Sequence, residues 1–94
     1  MAYDKDGSVL HRGDFKGQAR EVHRAILSLL KAAGAGVENI VRVNTYLTDV
    51  RYRTDLLPIR QATFGPKAPP STLVEVSALA HPDWLIEVEV IAVV

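Results

Sequence analysis

The chain has 94 residues, eleven basic and eleven acidic side chains, and a formal net charge of zero. This length reads as one domain over residues 1–94 that buries only roughly 60 to 65% of its unfolded surface, so further copies would supply core that one copy lacks. Zero net charge argues against a polyanion binder acting through its overall field, and the absence of cysteine excludes disulfides, thiol nucleophiles and thiolate metal sites and fits a cytoplasmic protein.

No apolar run approaches the roughly 18 to 20 residues of a membrane span, and Met1 to Asp6 contains no hydrophobic signal core. Asp4-Lys5-Asp6-Gly7 is a turn signal, and Ser8-Val9-Leu10 after it reads as a short edge strand. Asp14 is then a good N-cap for a helix with Val22, Ile26, Leu29, Leu30 and Ala33 on one stripe. Lys16, Gln18, Arg20, Arg24 and Lys31 fall away from that stripe. Gly34 stops the helix. Gly34-Ala35-Gly36 leaves a helix instead of opening one, so it is a cap and turn and not a phosphate cradle.

Ile40 to Thr48 predicts a strand, with Val41, Val43, Thr45 and Leu47 alternating against Arg42, Asn44 and Tyr46. A second helix is expected from about Thr54 and Asp55 to Phe64, with Pro58 within its first turn or so and Gly65-Pro66 as its end. Lys67-Ala68-Pro69-Pro70 is an extended connector stiffened by proline.

Two adjacent strands follow, Thr72 to Leu79 and Leu85 to Val94, joined by a tight connection over Ala80 to Trp84. Ile86, Val88, Val90, Ala92 and Val94 form one apolar face, with Glu87 and Glu89 on the other. Thr72, Val74, Val76 and Ala78 repeat the pattern, with Glu75 opposed. The fold class is therefore α/β (α+β): a two-layer sandwich of a mixed sheet with two helices on one face. The other face is expected to carry Glu75, Glu87 and Glu89 beside Leu73, Leu79, Leu85, Ile91 and Val93. That mixture is too apolar to be simply wet and suits packing against copies of the same chain.

His11, His23 and His81 lack metal-ligand spacing, His23 being assigned to a polar helix face, so no metal is expected. Ser28, Ser71, Thr72 and Ser77 include no nucleophile elbow. Glu87 and Glu89 share a face, as glycosidase-like acid/base work requires, but no sugar-stacking aromatics accompany them. Glu75 and Glu89 read as solvated or as partners of arginines. Lys16, Arg20, Arg24 and Lys31 make a basic ridge; with Glu21 nearby and no interleaved aromatics it reads as a solvated face, and RNA is not an expected partner.

Three stretches in order, Val41-Arg42-Val43-Asn44-Thr45-Tyr46-Leu47-Thr48-Asp49, Val74-Glu75-Val76 and Leu85-Ile86-Glu87-Val88-Glu89-Val90-Ile91-Ala92, resemble the successive signatures of the RidA family, also called YjgF or L-PSP endoribonuclease-like. The resemblance runs from about Asp4 to the C-terminus. It implies a chorismate-mutase-like fold assembled as a homotrimer, with the sheets facing inward and ligand pockets in the clefts between subunits. It also implies that the chain begins after the family's first strands, Met1-Ala2-Tyr3 standing for the tail of one of them, which would leave a sheet edge open and the pocket incomplete.

Family members with established chemistry hydrolyse enamines and imines derived from amino acids to 2-oxo acids and ammonia, holding the substrate carboxylate with an arginine. Ser71 stands in that arginine's place, and a neutral hydroxyl cannot give the charged, bidentate recognition of a guanidinium. Leu57 takes the place of the family's pocket asparagine, whereas Glu87 matches the glutamate that positions water. The resemblance thus implies ligand contacts at Ser71, Thr72 and Leu73 and a catalytic role for Glu87. The expectation is a trimer that binds a small metabolite without a cofactor and hydrolyses or hydrates a C=N or C=C bond in the manner of a deaminase-like hydrolase, but is not a standard 2-imino acid deaminase. The alternatives are a non-catalytic regulatory or ligand-binding trimer and an L-PSP-type endoribonuclease or translation inhibitor.

Overall fold

A computed structural model describes residues 11–66 and 68–94; the expected edge strand at Ser8-Val9-Leu10 lies outside them. The described elements are α1 (Phe15–Ala32), β1 (Ile40–Leu47), α2 (Arg53–Phe64), β2 (Ser71–Glu75) and β3 (Ile86–Ala92), with short 3-10 turns before β1 and before α2. Both helices pack on one face of a three-stranded mixed sheet, the two-layer arrangement that the hydrophobic pattern predicts.

Helix α1 starts where the Asp14 carboxylate accepts the Gly17 N–H at 3.1 Å, satisfying a donor that the first turn leaves free. A Cβ at Gly17 would stand 2.6 Å from both the Asp14 carboxylate and the His11 ring, so a side chain there would displace the cap or the ring. The helix ends in a turn with Gly34 at φ 74°, and the Ala35 N–H reaches back to the Leu30 carbonyl at 2.8 Å. Val22, Ile26 and Leu30 are buried as expected, whereas Leu29 and Ala33, at the margin of the stripe, are exposed. Gln18 and His23 are the larger correction. Both were assigned outward by residue type and both are 1% exposed, because the buried face of α1 is wide enough to include them.

Strand β1 is the centre of the sheet and not one edge of it: the order is β2-β1-β3, with β2 parallel and β3 antiparallel to β1. The last two strands, adjacent in the chain, therefore do not pair with each other, because β1 lies between them. Strand β2 stops at Glu75, and not near Leu79, because β1 ends at Leu47; the Val76 N–H makes a last bond to the Leu47 carbonyl at 2.8 Å. The last strand is likewise shorter than Leu85 to Val94. A register shift between Ile40 and Arg42 turns Ile40 into the core and leaves Val41 exposed, so the apolar alternation of β1 is interrupted at its start.

The core collects Val22, Ile26 and Leu30 of α1, Val43 and Leu47 of β1, Leu56 and Phe64 of α2, and Ile86 of β3. Leu73 packs against it, which reverses the facing expected for β2: Leu73 lies on the helix side and Val74 on the helix-free side. The proline connector delivers β2 in this phase, with the Val43 N–H bonded to the Pro70 carbonyl at 3.0 Å. In α2, Pro58 sits in the second turn, where its missing N–H removes a bond on the exposed side. Phe15 stacks on Tyr52 with ring centroids 4.3 Å apart, tying the start of α1 to the entry of α2. Among the described residues no helix is long and apolar enough to cross a membrane.

Candidate functional site

Two regions carry the residues that the sequence singles out, one on each face of the sheet. Alternation along β1 and β3 places Arg42, Asn44, Tyr46, Glu87, Glu89 and Ile91 on the helix-free face. Glu89 is its hub: the Tyr46 hydroxyl donates to its carboxylate at 2.6 Å and the Asn44 amide at 3.1 Å. These two donors hold the Glu89 carboxyl below the usual carboxylate range, the Tyr46 hydrogen bond contributing most, and the same bond raises the Tyr46 phenol above its ordinary value. Glu89 was expected to be solvated or to pair with arginine. It is exposed, as the first alternative has it, and its hydrogen-bond partners are an amide and a phenol and not an arginine.

Glu87 pairs in register with Tyr46, is half-buried, and makes no hydrogen bond or ion pair among the described residues. Two carboxylates on one strand face thus differ, one committed and one free. On the neighbouring strand the Arg42 guanidinium donates to the Thr72 hydroxyl. Val74 and Ile91 on this face are 40% and 54% exposed, leaving an apolar surface around the polar ladder. Glu75 lies outside the ladder and accepts the Val50 N–H at 2.8 Å, fixing the turn before α2 and not pairing with an arginine.

The second region is a hollow of about 410 Å³ at the outer edge of β2, walled by Leu57, Arg60 and Gln61 of α2, by Pro66 and Ala68, and by Ser71. Leu57 and Ser71, far apart in sequence, are therefore brought together. Ser71 is exposed at the first position of β2, Thr72 is engaged by Arg42, and Leu73 is directed to the core. Ser71 and Glu87 are not brought together within one chain: they lie on opposite faces, with β1 between their strands.

Arg60 is the residue that the sequence reading missed. It follows Leu57 by three positions and so shares its side of α2, which is the signal that could have found it. Its Nε is buried without a hydrogen-bond partner among the described residues.

The basic ridge on α1 is partly neutralised. Arg24 binds Glu21, and Lys16 lies 4.0 Å from Asp55. No group of three or more potential metal ligands occurs among the described residues.

With this geometry in hand, comparison with known proteins is decisive for kinship. The family described as Endoribonuclease L-PSP matches residues 1–94. The chain belongs to this family, the RidA/YjgF group. A RutC family protein of Pyrococcus horikoshii is 36% identical over 88 residues, covering 94% of this chain and 68% of the relative. Among solved structures, a YjgF/YER057c/UK114 family member from Mycobacterium tuberculosis superposes with a TM-score of 0.81 at 34% identity, covering 86% of this chain and 69% of that one. RidA from an Antarctic Psychrobacter superposes with a TM-score of 0.88 at 26% identity, covering 99% and 74%. The two-helix, mixed-sheet architecture is thus the RidA/YjgF fold.

Proposed function

We propose that copies of this chain associate through the helix-free sheet face into a homotrimer that binds a small metabolite in the clefts between subunits, and that Glu87 places a water for addition to a C=N or C=C bond. The single observation that carries the reading is the contrast between Glu89, tied by Tyr46 and Asn44, and Glu87, half-buried and uncommitted beside it. A carboxylate with no internal partner is free to hold a water by accepting its proton in a hydrogen bond. The separation of Ser71 and Glu87 across the sheet supports a site completed between copies, because a neighbour's groups are needed for both to face one space. Association is also favoured by the exposed Val74 and Ile91.

Ser71 in place of the family's arginine argues against standard 2-imino acid deamination. It equally favours a second reading, a trimer that binds a metabolite without turning it over. Hydrolysis of amino-acid-derived imines by wild type and Glu87→Ala, with sedimentation in parallel, tests both. A trimer with slow wild-type turnover abolished by the substitution supports the enzyme. Thermal stabilisation by a metabolite without turnover supports the binder, and a well-folded monomer at working concentration overturns both.

A further inference from the structure

The helix-free sheet face carries one cation and one carboxylate that no opposite charge answers among the described residues. Arg42 is the only basic side chain on the three strands. It is exposed on β1, and its guanidinium reaches only the neutral hydroxyl of Thr72, on the β2 side. Glu87 stands half-buried on β3, at the opposite flank, in register with Tyr46, whereas Arg42 is in register with Ile91. Four strand positions span roughly 13 Å, and the ladder of Asn44, Glu89 and Tyr46 fills that span, so the two charges do not meet within one copy. The other strand carboxylates are engaged, Glu89 by Tyr46 and Asn44 and Glu75 by the Val50 N–H. Val74 and Ile91, 40% and 54% exposed on the same face, would be dried by any copy that settles there. Opposite charges attract more strongly in such partly dry surroundings than in water, and either charge left alone there is penalised.

We infer that Arg42 of one copy pairs with Glu87 of the next, an ion pair between subunits that selects how the sheet faces meet. This pairing rests on the reading that copies associate through this face, and it names the contact that sets their arrangement. In a ring of three, each copy offers Arg42 to one neighbour and receives the other neighbour's at Glu87, so three pairs close the ring and no unanswered charge is left. Arrangements that set Arg42 on Arg42 and Glu87 on Glu87 are disfavoured by repulsion. Glu87 keeps its proposed role, since one carboxylate oxygen accepts from the guanidinium and the other remains for water.

Charge reversal on the full chain tests the pair. By sedimentation, Arg42→Glu and Glu87→Arg are each expected to raise the concentration needed for assembly at least about tenfold. The double variant restores opposite charges at each contact and should assemble within about threefold of wild type. Unchanged assembly of either single variant, or a double variant no better than the singles, overturns the pair, while a trimeric wild type leaves the association reading standing. A wild type that stays monomeric overturns both. The chain has no cysteine, which permits a measurement independent of charge. Arg42→Cys/Glu87→Cys treated with a short bismaleimide should give covalent trimers, and Arg42→Cys alone should give no cross-linked product. A double-cysteine variant that sediments as a trimer without cross-linking overturns the pair even if the charge-reversed chains fail to fold.

Discussion

Gln18 and Leu85 are joined across the two layers: the Leu85 N–H donates to the Gln18 Oε1 at 2.8 Å, from a side chain that is 1% exposed. The Gln18 Nε2 in turn donates to the carbonyls of Asp83 at 2.9 Å and His11 at 3.3 Å. One amide thus satisfies both a donor and an acceptor in the loop entering β3, which has no ladder of its own to pair them. Gln18→Ala strands these groups in a buried place and should cost about 3 kcal/mol by urea unfolding. Gln18→Glu keeps the acceptor and loses the donor, so it should be worse at neutral pH than in mild acid, where the protonated carboxyl donates again. A loss below about 0.5 kcal/mol for Gln18→Ala would show that the loop does not depend on this bridge.

A second expectation concerns His23. Its Nδ1 lies 2.7 Å from the Ala19 carbonyl, so Nδ1–H donates, and Nε2 is buried without a partner. Burial is the main cause of a pKa lowered from the ordinary value, the Ala19 bond opposing it and the Arg60 charge adding to it. The folded imidazole therefore resists a proton that the unfolded one accepts below about pH 6.5. Stability attributable to His23 is fully present above that pH and falls progressively as the pH drops through the folded pKa. His23→Leu should flatten the limb just below about pH 6.5 in thermal melts recorded across pH; an unchanged limb would exclude His23 as its source.

These two residues also mark the limit of what the sequence reveals. The period of α1, the Asp14 cap and the stop at Gly34 were legible because each depends on local spacing and backbone conformation. Gln18 was misplaced because polarity predicts exposure only when a buried polar group would lack a partner, and His23 because its one bonded nitrogen finds the Ala19 carbonyl within its own helix while the ring packs near Phe64. Two of the three partners of Gln18 lie 65 and 67 residues away along the chain. The order of strands in the sheet was hidden for a related reason. Adjacent strands in sequence favour pairing, yet the parallel partner of β2 is β1, reached through α2. In the candidate site, the family pattern singles out Ser71, Leu57 and Glu87; the structure brings Ser71 and Leu57 to one hollow and leaves Glu87 on the other face, while Arg60 joins that hollow only when α2 is seen against the edge of β2.

The Tyr46–Glu89 pair gives a third prediction. If the phenol bond holds the Glu89 carboxyl low, Tyr46→Phe should move its titration midpoint up toward the ordinary carboxylate value, and Glu89→Gln should bring the Tyr46 phenol down toward its own. Carbon-detected NMR of the side-chain carboxyls reads the first and ultraviolet titration the second. A Glu89 midpoint unmoved by Tyr46→Phe would mean that the ladder is not formed in solution, and the contrast that leaves Glu87 free for water would lose its basis.

The last prediction concerns position 71. Ser71 is exposed at the first position of β2, beside the hollow lined by Leu57 and Gln61, so a longer side chain can be accommodated there without entering the core. With position 71 facing the ligand, Ser71→Arg should raise the affinity for 2-oxobutanoate about tenfold over wild type, since a guanidinium pairs with both oxygens of a carboxylate. Turnover of amino-acid-derived imines should rise with it if position 71 aims the substrate toward the Glu87 of a cleft. Calorimetry checks the first statement and an ammonia-release assay the second. A folded Ser71→Arg variant that binds the acid no better than wild type would place position 71 outside the reach of the ligand and remove Ser71 from the site.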